Sequence, residues 1–478
     1  MSRKVLLVQS SAGRYEKLGT RMPLGLLYIA TYLKKNGIDA RIIDTRINSG
    51  WKKELLNELK TADIVGTTCM IGHQVTEALK IARFVKAEKP DTMVVFGGVH
   101  PSIVPEEALK EDSVDVVVRG EGEKQFLELA KKRGMSEIKG ISYKEKGSIK
   151  HNPVQTLLKP EEIPIPDYSL LDMSKYSSIT YAGEKGLSIQ GSRGCPYRCG
   201  FCYNEDFNCG TWRPFPIDTV LKNIDVLVND YGAKTIYFVD DNVAANPDRL
   251  YELLKKIKEK PYKINLAFQG LRIDALEKFT DEVFDLLYES GVRSIDIGVE
   301  TLNERLLKKV DKHLTPEQII RVLKSVEKRN FNLKLNFIAG LPGQTEKEIK
   351  EDIEAAQKLA RKHKKSYILY NIYMPFPGTK LYDDCLKAGF RKPLNFEEWG
   401  IFTGTSWMKK HSWLPPKTRK YLEDTSFLFL FSNKNILSKV SNKFARFAIS
   451  VYQPVAAFRL KYKFYHFLIE RKLAELLD

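Results

Sequence analysis

Residues 191–204 read GSRGCPYRCGFCYN. Cys195, Cys199 and Cys202 fall here in the order C-x3-C-x2-C and make up half of the six cysteines in the chain. Gly194, Pro196, Arg198 and Gly200 around them make an open polar loop, unlike the apolar surroundings of inert core thiols. A structural zinc site asks for four ligands in two pairs. No fourth Cys or His stands at such a spacing, and Cys209 lies irregularly far on. Soft thiolates in this number instead suit an iron–sulfur cluster. Three ligands on a four-iron cubane leave one iron open, and an open iron can bind a substrate or cofactor.

The segments on either side set the frame. Before the loop, KVLLVQS, DARIIDT, DIVGTTC, TMVVFGGVH and VDVVVRGEG read as short buried strands. LGLLYIATYLKK, QVTEALKIARFVKAE and EKQFLELAKK between them carry apolar residues at helical spacing. This alternation predicts a doubly wound, Rossmann-like α/β domain over residues 1–140. GISYKEKG and HNPVQTLL read as a hairpin, and KPEEIPIPDYSLLD as a proline-rich linker, so 141–185 is a connecting region. A second series follows over 186–392, with strands in GLSIQGS, KTIYFVDDN, INLAFQGL, SIDIGVET, LKLNFIAGLPG and YILYNIYMPFPGT. Six βα units fall short of the eight of a closed barrel and predict a partial (β/α)6 TIM barrel. Chemistry in such a fold belongs at the C-terminal strand ends. Those ends hold the cysteine loop, Asp240, Asp241, Gln269, Glu300 and the turn Gly340-Leu341-Pro342-Gly343.

A C-x3-C-x-aromatic-C loop after the first strand of a partial barrel resembles the radical S-adenosylmethionine superfamily. The resemblance implies that the open iron of a [4Fe-4S] cluster on Cys195, Cys199 and Cys202 chelates S-adenosylmethionine. One electron, supplied by a reductant such as flavodoxin or ferredoxin, then cleaves it to methionine and a 5′-deoxyadenosyl radical. It further implies that Phe201 packs near the adenine and that Asp240 or Asp241 accepts from the methionine ammonium. Gln269 belongs to the same set of barrel-mouth cofactor residues. Glu300 would meet the methionine or ribose, and Gly340, Pro342 and Gly343 would lie near the adenine. Read from charge alone, Glu300 and Asp240 could instead form salt bridges with Arg272 or Arg293.

The front domain, with RMPLGLLYIATYL, ADIVGTTCM, VVFGGVHPS and VDVVVRGEGE in that order, resembles the cobalamin-binding subgroup of the superfamily. This implies a cobalamin crevice edged by Thr67, Thr68, Gly97, Gly98 and His100, with Gly120, Glu121, Gly122 and Glu123 forming another edge. The lower-ligand motif D-x-H-x-x-G is absent, so cobalamin is expected without a protein histidine on cobalt. Ordinary structural roles suit His73 and His100 better than ligation. No G-x-G-x-x-G follows the first strand, which argues against a dinucleotide site. A transfer-RNA methylthiotransferase would bring three further cysteines to this domain; only Cys69 is there, and a nucleic-acid partner is not expected.

The formal net charge is +17, which suits an acidic partner, an anionic membrane surface or simply a lysine-rich solvated exterior. Six cysteines, too few and too unevenly placed for a disulfide framework, and no signal-peptide pattern point to a cytoplasmic protein, expected to be a monomer. After residue 392 the alternation stops, and 393–478 reads as a helical, basic and aromatic region. Lys434, Lys439, Lys443, Arg446, Arg459, Lys461, Lys463, Arg471 and Lys472 interleave there with Phe444, Phe447, Phe458, Tyr462 and Phe467. A helical cap on the barrel accounts for this pattern, and peripheral contact with the inner face of the membrane is the competing reading. The function expected from both resemblances is methylation of an unactivated carbon of a small-molecule or lipid-like substrate by a cobalamin-dependent radical enzyme. Cyclisation or rearrangement without methyl transfer is the alternative, and a non-catalytic cluster-bearing binding protein a further one.

Overall fold

The computed structural model describes residues 3–13, 20–154, 156–179, 185–363, 365–432 and 443–465. Its first sheet contains β1 (Val5–Gln9), β2 (Ala40–Asp44), β3 (Ile64–Thr68), β4 (Met93–Gly97), β5 (Val116–Val118), β6 (Ile141–Glu145) and β7 (Ser148–His151). The order is β2-β1-β3-β4-β5-β6-β7, parallel through β5. Reversal of chain direction across the sheet at β1 makes the domain doubly wound, with ligand space at the C-terminal strand ends. The hairpin β6–β7 pairs antiparallel onto β5, so it extends the sheet. Its two-residue turn, Lys146-Gly147, takes positive φ at both positions (47° and 78°), as a tight primed turn requires.

The linker is packed rather than extended. Ile163, Tyr168, Met173 and Tyr176 are buried in the same core as front-domain Leu27 and barrel Leu187. The Tyr168 hydroxyl donates to Asn223 Oδ1 (2.8 Å) and that of Tyr176 to Asp44 Oδ2 (3.0 Å). Prolines at 160, 164 and 166 remove backbone donors, and three short 3-10 turns around them meet their hydrogen-bonding needs locally.

The second sheet holds β8 (Ser178–Ile179), β9 (Lys185–Ile189), β12 (Thr235–Phe238), β13 (Asn265–Arg272), β14 (Val292–Glu300), β15 (Asn332–Ala339) and β16 (Ser366–Ile372). A two-stranded ribbon, β10 (Ser192–Gly194) with β11 (Trp212–Pro214), stands apart from it. Each parallel strand lies beside its predecessor in the order β9-β12-β13-β14-β15-β16, the winding of a barrel. Six parallel strands leave it open, and β8 pairs antiparallel on the outside of β9.

The region after 392 divides in two. Residues 396–411 pack on the front domain, with Phe396, Trp399, Phe402 and Trp407 sharing a core with Phe96 and helix His73–Glu88. Helix Pro416–Ser432 lies along β16, where Phe429 stacks on Tyr370 (5.2 Å between ring centroids, 14° apart), and helix Lys443–Lys461 packs on it. These helices cover the open edge of the barrel. Lys434, Lys439, Phe467, Arg471 and Lys472 lie outside the described residues.

Candidate active site

The cysteine loop is bracketed by the ribbon β10–β11. Gly194 sits at φ 82°, and a Cβ there would come within 2.1 Å of the Thr211 carbonyl, so the position requires glycine. Inside the loop Cys202 N donates to Cys199 O (2.9 Å), and Asn204 Nδ2 donates to Cys195 O (2.7 Å). Gly200 anchors it to the barrel, donating to Val310 O (3.0 Å) and accepting from Leu381 N (2.9 Å). Two side-chain N–H groups reach the sulfurs: Asn242 Nδ2 stands 3.8 Å from Cys195 Sγ, and Arg272 Nη1 stands 3.2 Å from Cys199 Sγ. Backbone N–H groups of Tyr197 and Asn204 bond Cys195 and Cys202. Arg272 lies over the Tyr197 ring at 3.6 Å and is held by Asp274 (2.9 Å) and the Lys312 carbonyl (3.1 Å).

Burial raises the Cys195 thiol and pushes Cys202 up to about 12. A free thiol would therefore keep its proton here, and bound metal is what would ionise it. Among the described residues no three Cys, His, Asp or Glu side chains converge on a position for one ion. A four-iron cluster takes each thiolate at a separate corner, and N–H donors aimed at the sulfurs suit it. The residues fit the cluster.

The adjacent carboxylates part company. Asp240 is 1% exposed and accepts from Gly191 N (3.1 and 3.0 Å to its two oxygens) and Ser192 Oγ (2.5 Å). Its burial raises its pKa to about 6. Asp241 takes one bond from Gly194 N (3.1 Å) and otherwise faces a cavity. Gly270 (φ 73°) lets the backbone of β13 approach, since a Cβ would lie 2.6 Å from Asp241 O. Gln269 lines the same cavity and accepts from Arg21 Nη1 (3.3 Å).

Glu300 ends β14 with φ 64° and is buried against Lys312 (2.7 Å), itself 4% exposed. Its partner is thus neither Arg272 nor Arg293. Gly298 makes room for the pair, because a Cβ there would lie 2.4 Å from Glu300 Oε1. Gly340 and Leu341 donate their N–H groups to Gln344, and Gly340 packs against Leu414 and Leu422. Pro342 is buried beside them, and Gly343 O accepts from Arg305. Phe201, half-buried, packs beneath the loop in the core that contains Leu381.

A cavity of about 300 Å³ lies between the two sheets. The front domain lines it with Thr67, Thr68, Gly97, Gly98, Gly120 and Glu121, the barrel side with Arg193, Gly194, Tyr203, Asp241 and Gln269. A Cβ on Gly97 or Gly120 would meet nothing within 4 Å, and Gly120 has φ 86°. Bare backbone therefore opens onto the space, as a bulky cofactor needs. Ser102 Oγ ties the two glycine turns, donating to Gly98 O (2.6 Å) and accepting from Gly120 N (2.9 Å). The Thr67 hydroxyl donates to Val8 O (3.0 Å), so this residue offers its backbone to the space. Arg193 meets Glu121 (3.0 Å) and Glu123 (2.7 Å), and Arg213 makes a two-pronged contact with Glu121 (2.6 and 3.1 Å). Arg193 is the main reason the Glu121 carboxyl stays below its ordinary range, against the opposing effect of its own burial.

No histidine lines the cavity among the described residues. His100 is 2% exposed, stacked on Phe396 (5.3 Å) and edge-on to Trp399 (5.1 Å), on the side of β4 that meets the C-terminal region. It is a core residue of that junction, away from the cavity. His73 packs its ring on Gly13.

The model of the radical SAM superfamily matches residues 189–356 and that of the B12 binding domain residues 18–130. The uncharacterized methyltransferase PH0819 of Pyrococcus horikoshii is 31% identical over 388 residues, covering 80% of this chain and 82% of that protein. The chain belongs to the cobalamin-binding radical S-adenosylmethionine enzymes. An anaerobic magnesium-protoporphyrin IX monomethyl ester cyclase of Rubrivivax gelatinosus is 26% identical, covering 78% of this enzyme and 68% of the cyclase. The solved structure of the cobalamin-dependent S-adenosylmethionine radical enzyme OxsB, with aqua-cobalamin and S-adenosylmethionine bound, superposes with a TM-score of 0.73. It covers all of this radical enzyme and 74% of that chain at 21% identity, so the two share a fold. Among the described residues no helix is long and apolar enough to cross a membrane.

Proposed function

We propose that this enzyme methylates an unactivated carbon of a small-molecule or lipid-like substrate. One observation carries the reading: a single cavity is lined by the glycine turns of the front sheet and by the residues flanking the cysteine loop. When bound, S-adenosylmethionine on the cluster supplies a 5′-deoxyadenosyl radical and methylcobalamin supplies the methyl group.

The chain's own part is positioning. Cys195, Cys199 and Cys202 hold the cluster, and Asn242 and Arg272 support the charge on its sulfurs. Asp241 receives the methionine ammonium, because Asp240 is committed to Gly191 and Ser192. Gln269 borders the same space, whereas Phe201 and the Gly340–Gly343 turn stand outside its lining and are assigned to the adenine by the superfamily resemblance alone. Glu300 acts through Lys312. Thr67, Thr68, Gly97, Gly98 and Gly120 present backbone to the nucleotide tail of cobalamin, and Glu121 keeps Arg193 and Arg213 in place beside it. The net charge of +17 suits an acidic reductant such as flavodoxin or ferredoxin.

The test needs no substrate. Cobalamin-loaded enzyme is incubated anaerobically with methyl-labelled S-adenosylmethionine and a low-potential reductant. Labelled methylcobalamin and S-adenosylhomocysteine in equal amounts are expected. Cluster-intact, cobalamin-loaded enzyme that forms neither would overturn methyl transfer and favour cyclisation or rearrangement. In a parallel arm, Cys199→Ala should lose 5′-deoxyadenosine formation; retained formation would remove the cluster from the chemistry.

A further inference from the structure

Helix Lys443–Lys461 has two apolar faces. Ile449, Tyr452, Ala456 and Leu460 are each no more than 8% exposed and face helix Pro416–Ser432. On the other side Phe447 is 67% exposed, Val451 61%, Val455 46% and Phe458 58%, with Tyr462 at 58% just past the helix end. Their spacing of three or four residues sets them along one edge of the helix, within an arc of roughly 80°. A soluble monomer rarely leaves so continuous an apolar patch in water. The helix is already seated on the barrel through its inner face, so the outer stripe is not needed for the fold.

Charge selects the occupant. Between Asp424 and Glu470 the sequence contains no Asp or Glu and seven Lys or Arg. Of these Lys443, Arg446 and Lys461 are exposed on the described helix, whereas Arg459 is buried and Lys463 pairs with Glu354 (2.6 Å). Lys443 and Lys461 are exposed and flank the stripe at its two ends. Two copies paired through this edge would bring like charges face to face, which costs affinity. An anionic lipid surface meets both features at once: aromatic side chains enter the acyl boundary while lysines remain at headgroup level.

We propose that the outer edge of helix 443–461 is a docking surface for an anionic membrane, with the helix lying in the interfacial plane. The proposal does not depend on the reaction catalysed.

The test is co-sedimentation of the full chain with vesicles of phosphatidylcholine and phosphatidylglycerol, against vesicles of phosphatidylcholine alone. Preferential binding to the anionic vesicles, weakening as salt rises, is expected. The variant Phe447→Ser/Phe458→Ser should lose at least about tenfold in partitioning, with cobalamin content unchanged. The variant Lys443→Glu/Lys461→Glu should bind more weakly and with less salt dependence. If the serine variant fails to fold, the charge variant alone decides. Wild-type protein without anionic preference, or variants that bind as well as wild type, would overturn the proposal. So would a wild-type dimer that the serine substitutions convert to monomer, since the stripe would then belong to a second copy.

Discussion

Arg193, two residues before the first cluster cysteine, donates Nη2 to Glu123 Oε1 at 2.7 Å and so ties the cysteine ribbon to the front domain. Both side chains are nearly sealed from solvent, 10% and 3% exposed. Burial works against the charge on Arg193, but Glu123 and Glu121 outweigh it. The same residues wall the cavity, so the pair fixes the distance between the two halves of the site.

Removing one partner of a buried pair strands the other, a cost of about 3–5 kcal/mol. Arg193→Met should therefore lower stability by about that much and reduce cobalamin retention, while Glu123→Gln added to it should recover part of the loss. Urea unfolding together with cobalamin content after gel filtration reads both effects. A variant that unfolds like wild type would show that the pair is not needed to join the domains.

The split between Asp240 and Asp241 predicts two different phenotypes. Asp240→Asn keeps the shape but replaces one of two oxygens that accept from Gly191 N and Ser192 Oγ with an amide donor, so it should cost about 1–3 kcal/mol of stability. Asp241→Asn should leave the melting temperature within a degree or two and raise the KM for S-adenosylmethionine about tenfold. Equal effects of the two substitutions on KM would mean that the carboxylate facing the cavity has no special part in holding the cofactor.

Gly97 tests the front half of the cavity. Its Cβ would meet no protein atom within 4 Å, so Gly97→Leu adds a side chain that starts into the cavity. The expected result is loss of most bound cobalamin with an unchanged unfolding midpoint and an intact cluster by iron content. Full cobalamin occupancy in this variant would place the cofactor elsewhere.

Much of this was readable from the chain. The strands gave themselves away through short β-branched runs, and the cysteine loop through a spacing that zinc does not use. The glycines at 97 and 120 stood at strand ends where a doubly wound sheet binds ligands. What escaped was decided by distant contacts. Arg193 and Glu123 are 70 residues apart, and nothing local marks either as a partner. Asp240 and Asp241 look equivalent in sequence, although the alternation at a strand end turns neighbouring side chains to opposite sides. Prolines marked a linker without showing how it packs, and the aromatic residues beside them, Tyr168 and Tyr176, were the signal of packing. The C-terminal region divides between two domains because Trp399 and Phe402 share a core with Phe96 of the front sheet while Phe429 stacks on Tyr370 of β16.

His100 gives the enzyme an acid sensitivity whose sign can be worked out. Its Nε2 is buried without a hydrogen-bond partner, and burial lowers its pKa to about 3. In the unfolded chain a histidine titrates near ~6.5. As pH falls through that value the unfolded state takes up a proton that the folded state refuses, so stability drains away between about 6.5 and 3. At pH 5 the loss is about 2 kcal/mol. Asp240 has the opposite slope: its folded pKa of about 6 exceeds the ordinary 3.8, so its cost is present above 6 and fades on acidification. That contribution is common to wild type and a His100 variant and cancels in their difference. His100→Phe preserves a ring against Phe396 and removes the proton site. The stability of this variant relative to wild type, measured by urea unfolding, should therefore rise by about 2 kcal/mol on going from pH 8 to pH 5. A difference that stays constant with pH would mean that His100 is protonated, or solvated, within the folded enzyme.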